Sequence, residues 1–174
     1  WDFKAEDLSG DWVKAGYTRG VPMGGELKPA AGAAPSFIVS ALKDPQGANL
    51  DRVQIVKGWL DGSGQAQERV YDVVWSDMAK RAPVGGKVPE GGNTVDTATA
   101  TYANSIGAPV LTTVWSDPDF DPKQRAFYYV RVLEIPTPSW VNFDMVRFKL
   151  KLDPAIPLTQ QERGYTSPIW YKPN

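Results

Sequence analysis

Histidine and cysteine are both absent from this 174-residue chain. Without imidazole there is no Ser-His-Asp triad and no side chain whose ordinary pKa lies near neutrality. Without thiol there is no cysteine nucleophile and no disulfide, and without both there is no zinc centre on nitrogen or sulfur ligands. Chemistry in this stretch is left to carboxylates, hydroxyls, lysine and arginine, or to none. Excess charge is missing as well. The 19 basic and 20 acidic residues leave a net charge of −1, with no basic stripe to suggest nucleic acid and no acidic tail. No apolar run exceeds strand length, so no membrane span is expected. The lack of cysteine does not place the compartment. Trp1 is not an initiator methionine, which reads as a chain cut upstream.

Aromatics are plentiful: seven Trp, seven Tyr and six Phe, beside 16 Gly and 15 Pro. A hydrophobic fraction of 42% and a charged fraction of 22% belong to a globular domain with a real core. Residues 20–35 hold four glycines and three prolines, so they read as an ordered loop. We therefore expect residues 1–34 to be a loop-rich segment packed on a single β domain at 35–174. Ser36–Leu42 is a strand ending at the Asp44–Gly47 turn. Leu50–Leu60 and Gln67–Ser76 flank Asp61-Gly62-Ser63-Gly64 and read as a hairpin on the Asp-Gly turn. The second arm is largely apolar on both faces, which predicts a strand covered on both sides. Residues 78–93 read as loop, 94–103 as an exposed edge strand and Val110–Ser116 as a strand. Arg125–Glu134 has the aromatic and β-branched content of a central strand. Residues 140–152 are ambiguous, with a helical turn capped by Ser139 followed by strand-like alternation from Arg147. Tyr165–Lys172 reads as a closing strand. Short strands, Gly/Pro-rich turns and no long 3.6-residue period predict an all-β, antiparallel sandwich, immunoglobulin-like or related, with at most short helices.

Three constellations invite chemistry. Asp117-Pro118-Asp119-Phe120-Asp121 sets Asp117, Asp119 and Asp121 at alternate positions, like the opening of a calcium loop. The glycine such a loop needs is missing, and Asp121-Pro122 with Gln124 fits a capped turn better. Arg131 sits mid-strand and needs a carboxylate partner, with Glu134 and Asp72 as candidates. Most aromatics fall within strand patterns and read as core, whereas Trp12, Trp59 and Trp140 lie near loops or strand ends and are the candidates for a stacking surface. Gly20-Val21-Pro22-Met23-Gly24-Gly25 matches neither a P-loop nor a dinucleotide fingerprint.

Asp51-Arg52-Val53-Gln54-Ile55-Val56-Lys57-Gly58-Trp59-Leu60 and Val70-Tyr71-Asp72-Val73-Val74-Trp75-Ser76 resemble a bacterial family catalogued as domain of unknown function 3604. So do Trp115–Pro122, Gln124–Pro138, Tyr165–Tyr171 and the 20–25 loop, in the same order along the chain. The resemblance implies a C-terminal part of a larger, exported protein. The N-terminal part of such a protein is similar to metal-dependent phosphoesterase-like hydrolases of the polymerase-and-histidinol-phosphatase type, with histidine ligands there. None of those catalytic residues maps onto a position here. We therefore expect a non-catalytic β-sandwich domain of a periplasmic or extracellular hydrolase. It would hold no cofactor of its own, any divalent metal being bound in the parent's other part. Its partners would be that other part and copies of itself, not nucleic acid. Two alternatives remain: a glycan- or small-molecule-binding sandwich, and a domain that lends loop 20–25 to a shared active site.

Overall fold

The computed structural model describes residues 2–28 and 33–173; Trp1 and residues 29–32 of the predicted 20–35 loop lie outside them. The first elements are helical. A 3-10 turn at Ala5–Ser9 leads into α1, Trp12–Arg19, whose N-terminus is capped by the Asp11 carboxylate accepting from Lys14 N at 3.0 Å. The segment read as loop-rich thus contains a two-turn helix, short enough for periodicity to miss.

β1 (Glu26–Leu27), β2 (Ser36–Leu42), β3 (Leu50–Leu60), β4 (Ala66–Trp75) and β5 (Val110–Ser116) follow. β6 (Ala126–Glu134), β7 (Thr137–Pro138), α2 (Trp140–Phe148), β8 (Thr159–Gln160), β9 (Arg163–Tyr165) and β10 (Ile169–Tyr171) complete the chain. The main sheet runs β1-β10-β6-β3-β4, with β9 also paired to β6. β2 and β5 form a separate antiparallel pair in unbroken register from Ser36↔Ser116 to Leu42↔Val110. Among the described residues the regular elements are therefore mostly strands with few short helices, in several sheets of which none is closed.

The β3–β4 hairpin forms, but on a different turn from the tight Asp-Gly one expected. The connection is 61–65, with Gly64 at φ +79°. Asp61 organises it: its carboxylate accepts from Ser63 N (2.9 Å), Ser63 Oγ (2.7 Å), Gln65 N (3.0 Å) and Gln67 Nε2 (2.8 Å). Those donors pull its pKa down to about 2, the Ser63 hydroxyl foremost. A bulge between Val53 and Gln54 leaves Val73 without a paired residue. β4 ends the sheet and is exposed over residues 66–70, and the strand buried on both faces along most of its length is instead β3.

Alternation along β3 and β6 sends Val53, Ile55, Ala126 and Tyr128 inward, where Phe37, Val39, Ala41 and Leu111 of the β2–β5 pair meet them. Phe37 packs against Tyr128 with ring centroids 4.9 Å apart, and Trp115 against Tyr71 at the same separation. One core thus joins both sheets, each buried aliphatic side chain contributing roughly 1.5–3 kcal/mol.

Two segments depart from expectation. Residues 94–103 form a turn closed by the lone Asp96↔Thr101 bridge rather than an edge strand. The Asp96 carboxylate accepts from Ala98 N (2.9 Å), and such local side-chain bonds compete with a ladder. Residues 140–148 are helical throughout, capped by Ser139 and ended by Lys149 in the left-handed region (φ 54°), so the strand-like alternation after Arg147 is not realised. The buried Asn142 side chain ties the helix to the 94–103 turn through Thr97 O at 2.8 Å.

Gly107 is a position where only glycine fits. Its φ is +78°, and a Cβ there would stand 2.7 Å from Asn49 Cβ and 2.9 Å from Ile135 Cγ2. Both neighbours are buried. Gly107→Ala is expected to lose about 2 kcal/mol or more of stability, read as a lower midpoint in urea; an unchanged midpoint would contradict this packing.

Candidate functional site

Period-2 alternation places Lys57 on the core side of β3, between Ile55 and Trp59 and opposite Tyr128 of β6. At 2% exposure its ammonium needs a matched charge. β5 ends at Ser116, and Asp117 lands over it. Lys57 Nζ donates to Asp117 Oδ2 (2.6 Å) and to Asp119 O (2.7 Å), and the Tyr128 hydroxyl donates to the same Asp117 oxygen (2.7 Å). Asp117 Oδ1 accepts from Asp119 N at 2.9 Å. Nearer the surface, Asp119 Oδ2 takes Arg69 (2.7 Å) and the Tyr71 hydroxyl (2.8 Å). Burial, then the adjacent carboxylates, pushes both phenols up, so they remain protonated donors. Arg69 foremost, then Tyr71, holds Asp119 below the usual carboxylate range.

The carboxylates of the 117–121 run therefore point apart. Asp117 faces inward to Lys57 and Asp119 sideways to Arg69. Asp121 turns back on its own loop, its carboxylate accepting from Lys123 N (2.8 Å) and its carbonyl from Gln124 N (3.1 Å). That loop is a turn rather than the start of a helix. Among the described residues no three acidic side chains converge on one point.

A second buried network pins the 77–93 loop to the sheet. Arg52 donates to Asp51 Oδ2 (2.6 Å), Val88 O (2.6 Å) and Pro89 O (2.9 Å). Arg81 meets Asp51 Oδ1 (2.8 Å), Pro89 O (2.6 Å) and the Ser76 hydroxyl (2.8 Å). A Cβ on Gly91 would overlap the Asp51 carboxylate, which explains a glycine there. Arg131 reaches neither carboxylate proposed for it. It donates to Gln54 Oε1 (2.7 Å), and Gln54 Nε2 donates onward to Asp72 Oδ1 (2.7 Å), so an amide relays between arginine and acid across three strands.

A cavity of about 760 Å³ opens between β2 and the main sheet. Ile55, Tyr128, Val130 and Val132 floor it, while Trp12, Pro22 and Met23 form one lip. The 20–25 loop is sewn to the start of β10: Gly24 N donates to Pro168 O (3.0 Å) and Trp170 N to Gly25 O (2.9 Å). Gly24 takes φ +85° to make that join. Glu134 and Glu162 stand at the other end of the cavity with Lys43 and Arg163. Burial, then repulsion from Glu162, raises the Glu134 pKa. Sequence reasoning named Glu134 only as a partner for Arg131.

The three tryptophans proposed as a stacking surface are not brought together. Trp12 lines the cavity, Trp59 packs half-buried beside the core near Lys57 (5.6 Å), and Trp140 stands 71% exposed on α2.

These features define a β-rich domain whose buried charges are matched internally and whose openings are lined mainly by apolar side chains. A family model described as protein of unknown function (DUF3604) matches residues 1–173, and the chain belongs to that family. No curated protein and no solved structure matches it.

Asp117→Ala strands Lys57 in the core and is expected to cost about 3–5 kcal/mol, against about 0.5 kcal/mol for Asp121→Ala at the surface; equal losses in denaturant unfolding would contradict the inward and outward assignments. Glu134 behaves oppositely. Its folded pKa is raised, so the native state holds a proton that the unfolded chain gives up, and stability falls as pH rises through the carboxylate range. Glu134→Gln should raise Tm at pH 7 and lose that advantage below the ordinary carboxylate pKa, with a gain independent of pH as the contrary result.

Proposed function

We propose that this chain is a non-catalytic accessory β domain of a larger, exported, metal-dependent hydrolase, and that it acts by packing against other parts of that protein. The observation that carries this reading is the aromatic face of α2. Trp140, Phe143 and Phe148 are 71%, 51% and 60% exposed on a nine-residue helix. A free-standing domain rarely leaves such side chains in water, and exposed apolar patches mark interaction surfaces. The matched buried charges support the non-catalytic half of the reading. Lys57, Asp117 and Tyr128 hydrogen-bond to one another, and Asp51 is ion-paired to both Arg52 and Arg81, whereas a general acid or base has to face its substrate. The two facing sheets fit an immunoglobulin-like sandwich opened along one side. A divalent metal would belong to the parent's other part, as the resemblance described above implies, and the compartment to the periplasm or beyond.

A second reading rests on Met23, 62% exposed at the lip of the inter-sheet cavity. It belongs to the 20–25 loop, which on this reading would contribute to an active site shared with the parent's other part.

The purified chain should show no phosphomonoesterase, phosphodiesterase or sulfatase turnover with magnesium, manganese or zinc. It should also self-associate with rising concentration in sedimentation velocity, and Trp140→Ser with Phe143→Ser should relieve that. Turnover that survives purification and disappears in Asp119→Ala would overturn the non-catalytic assignment. A monodisperse chain indistinguishable from the double variant would overturn the packing face.

A further inference from the structure

The outer face of the main sheet carries a continuous aromatic row. Because Ala126, Tyr128, Val130 and Val132 of β6 point to the core, alternation sends Phe127, Tyr129 and Arg131 the other way. β10 places Trp170 opposite Phe127, and β9 places Tyr165 opposite Arg131. The rings touch in sequence: Trp170 to Phe127 with centroids 5.3 Å apart, Phe127 to Tyr129 at 6.4 Å, and Tyr129 to Tyr165 at 6.3 Å. Phe127 does not stand upright. Its partner across the sheet is Gly58, and the rim of the ring occupies the place where a Cβ would be, so the ring leans over β3. Tyr129 lies within 12° of the same plane. Trp170 and Tyr165 are 46% and 59% exposed, and Phe127 and Tyr129 are half-buried.

Beside the row, Gly58, Phe127 and Trp170 line a groove of about 720 Å³ that Glu68, Lys123 and Arg125 also border. Those three charged side chains are exposed and make no hydrogen bond or ion pair among the described residues. Asp61 and Asp121 on the same border bring the charges to three acidic and two basic groups.

We propose that this face binds a neutral polysaccharide, with sugar rings stacked along Trp170, Phe127, Tyr129 and Tyr165 and hydroxyls bonded to Glu68, Lys123 and Arg125. The pattern suits that occupant on three counts. Tilted, partly exposed rings accept the C–H faces of pyranoses while their polar tips stay wet. A border holding both donors and acceptors matches hydroxyl groups, which are both at once. An acyl chain or an apolar helix would bury those charges without partners, and a border with one more acid than base gives a polyanion no advantage. The proposal does not depend on the packing role, which uses α2.

The test is affinity electrophoresis and calorimetry of the full chain against laminarin, xyloglucan, xylan and dextran, with alginate and heparin as polyanions. At least one neutral polymer should bind and change tryptophan fluorescence. Trp170→Ala and Tyr165→Ala, both at exposed positions, should each weaken binding roughly tenfold, and Glu68→Gln with Arg125→Gln should weaken it again. Trp140→Ser should leave it unchanged. The proposal is overturned by no binding across the neutral panel, by preference for alginate or heparin, by affinity indifferent to Trp170→Ala and Tyr165→Ala, or by self-association that Trp170→Ala abolishes, which would assign the row to a second copy of the chain.

Discussion

A lysine ammonium buried in the core obliges the rest of the structure to answer it. Lys57 occupies a core position of β3, the longest strand of the main sheet, where an unmatched charge is intolerable. The match comes from the loop that follows β5, so satisfying Lys57 also fixes where that strand ends relative to the main sheet. Tyr128 closes the arrangement from β6, and the ring of Phe37 on β2 packs on Tyr128. Three strands and one loop are thereby held to one ammonium group. The cavity between β2 and the main sheet, the course of the 117–121 loop and the surface row of Arg69, Tyr71 and Asp119 all inherit their positions from it.

A second consequence concerns chemistry. The chain has no histidine, and its buried carboxylates, phenols and lysine are turned toward one another. Groups arranged this way make a rigid scaffold and poor reagents, because a proton or electron pair already held in a short internal hydrogen bond is not offered to a ligand. The surfaces left open are the face of α2, the inter-sheet cavity and the outer face of β6, the last two bordered by charged side chains.

Elements with clean alternation were legible in the sequence. The β3–β4 hairpin and the central β6 followed from period-2 patterning, and Ser139 signalled the start of α2. The same patterning placed Lys57 between Ile55 and Trp59 on the inward face, but a lysine is ordinarily assigned to solvent and the signal passed unread. Phe127 and Tyr129 alternate out of phase with Tyr128, so an outward aromatic pair was also present in the pattern; treating all strand aromatics as core concealed it. Other features had no local signal. Asp51 and Arg81 meet across thirty residues of chain, and Gln54 intervenes between Arg131 and Asp72, neither of which composition or spacing encodes. In residues 147–152 alternation misled, because the Ser139 cap had already committed the backbone to a helix that Lys149 then ended.

The most direct measurement of the account is a double-mutant cycle on the buried pair. Lys57→Met, Asp117→Leu and the double variant would be compared with the parent chain by equilibrium unfolding in urea. If the pair organises the core, each single change leaves its partner stranded, and the double variant loses less stability than the two single losses combined, by about 2 kcal/mol or more. Additive losses would mean that the two side chains are buried independently, contradicting the claim that the structure is built around their contact.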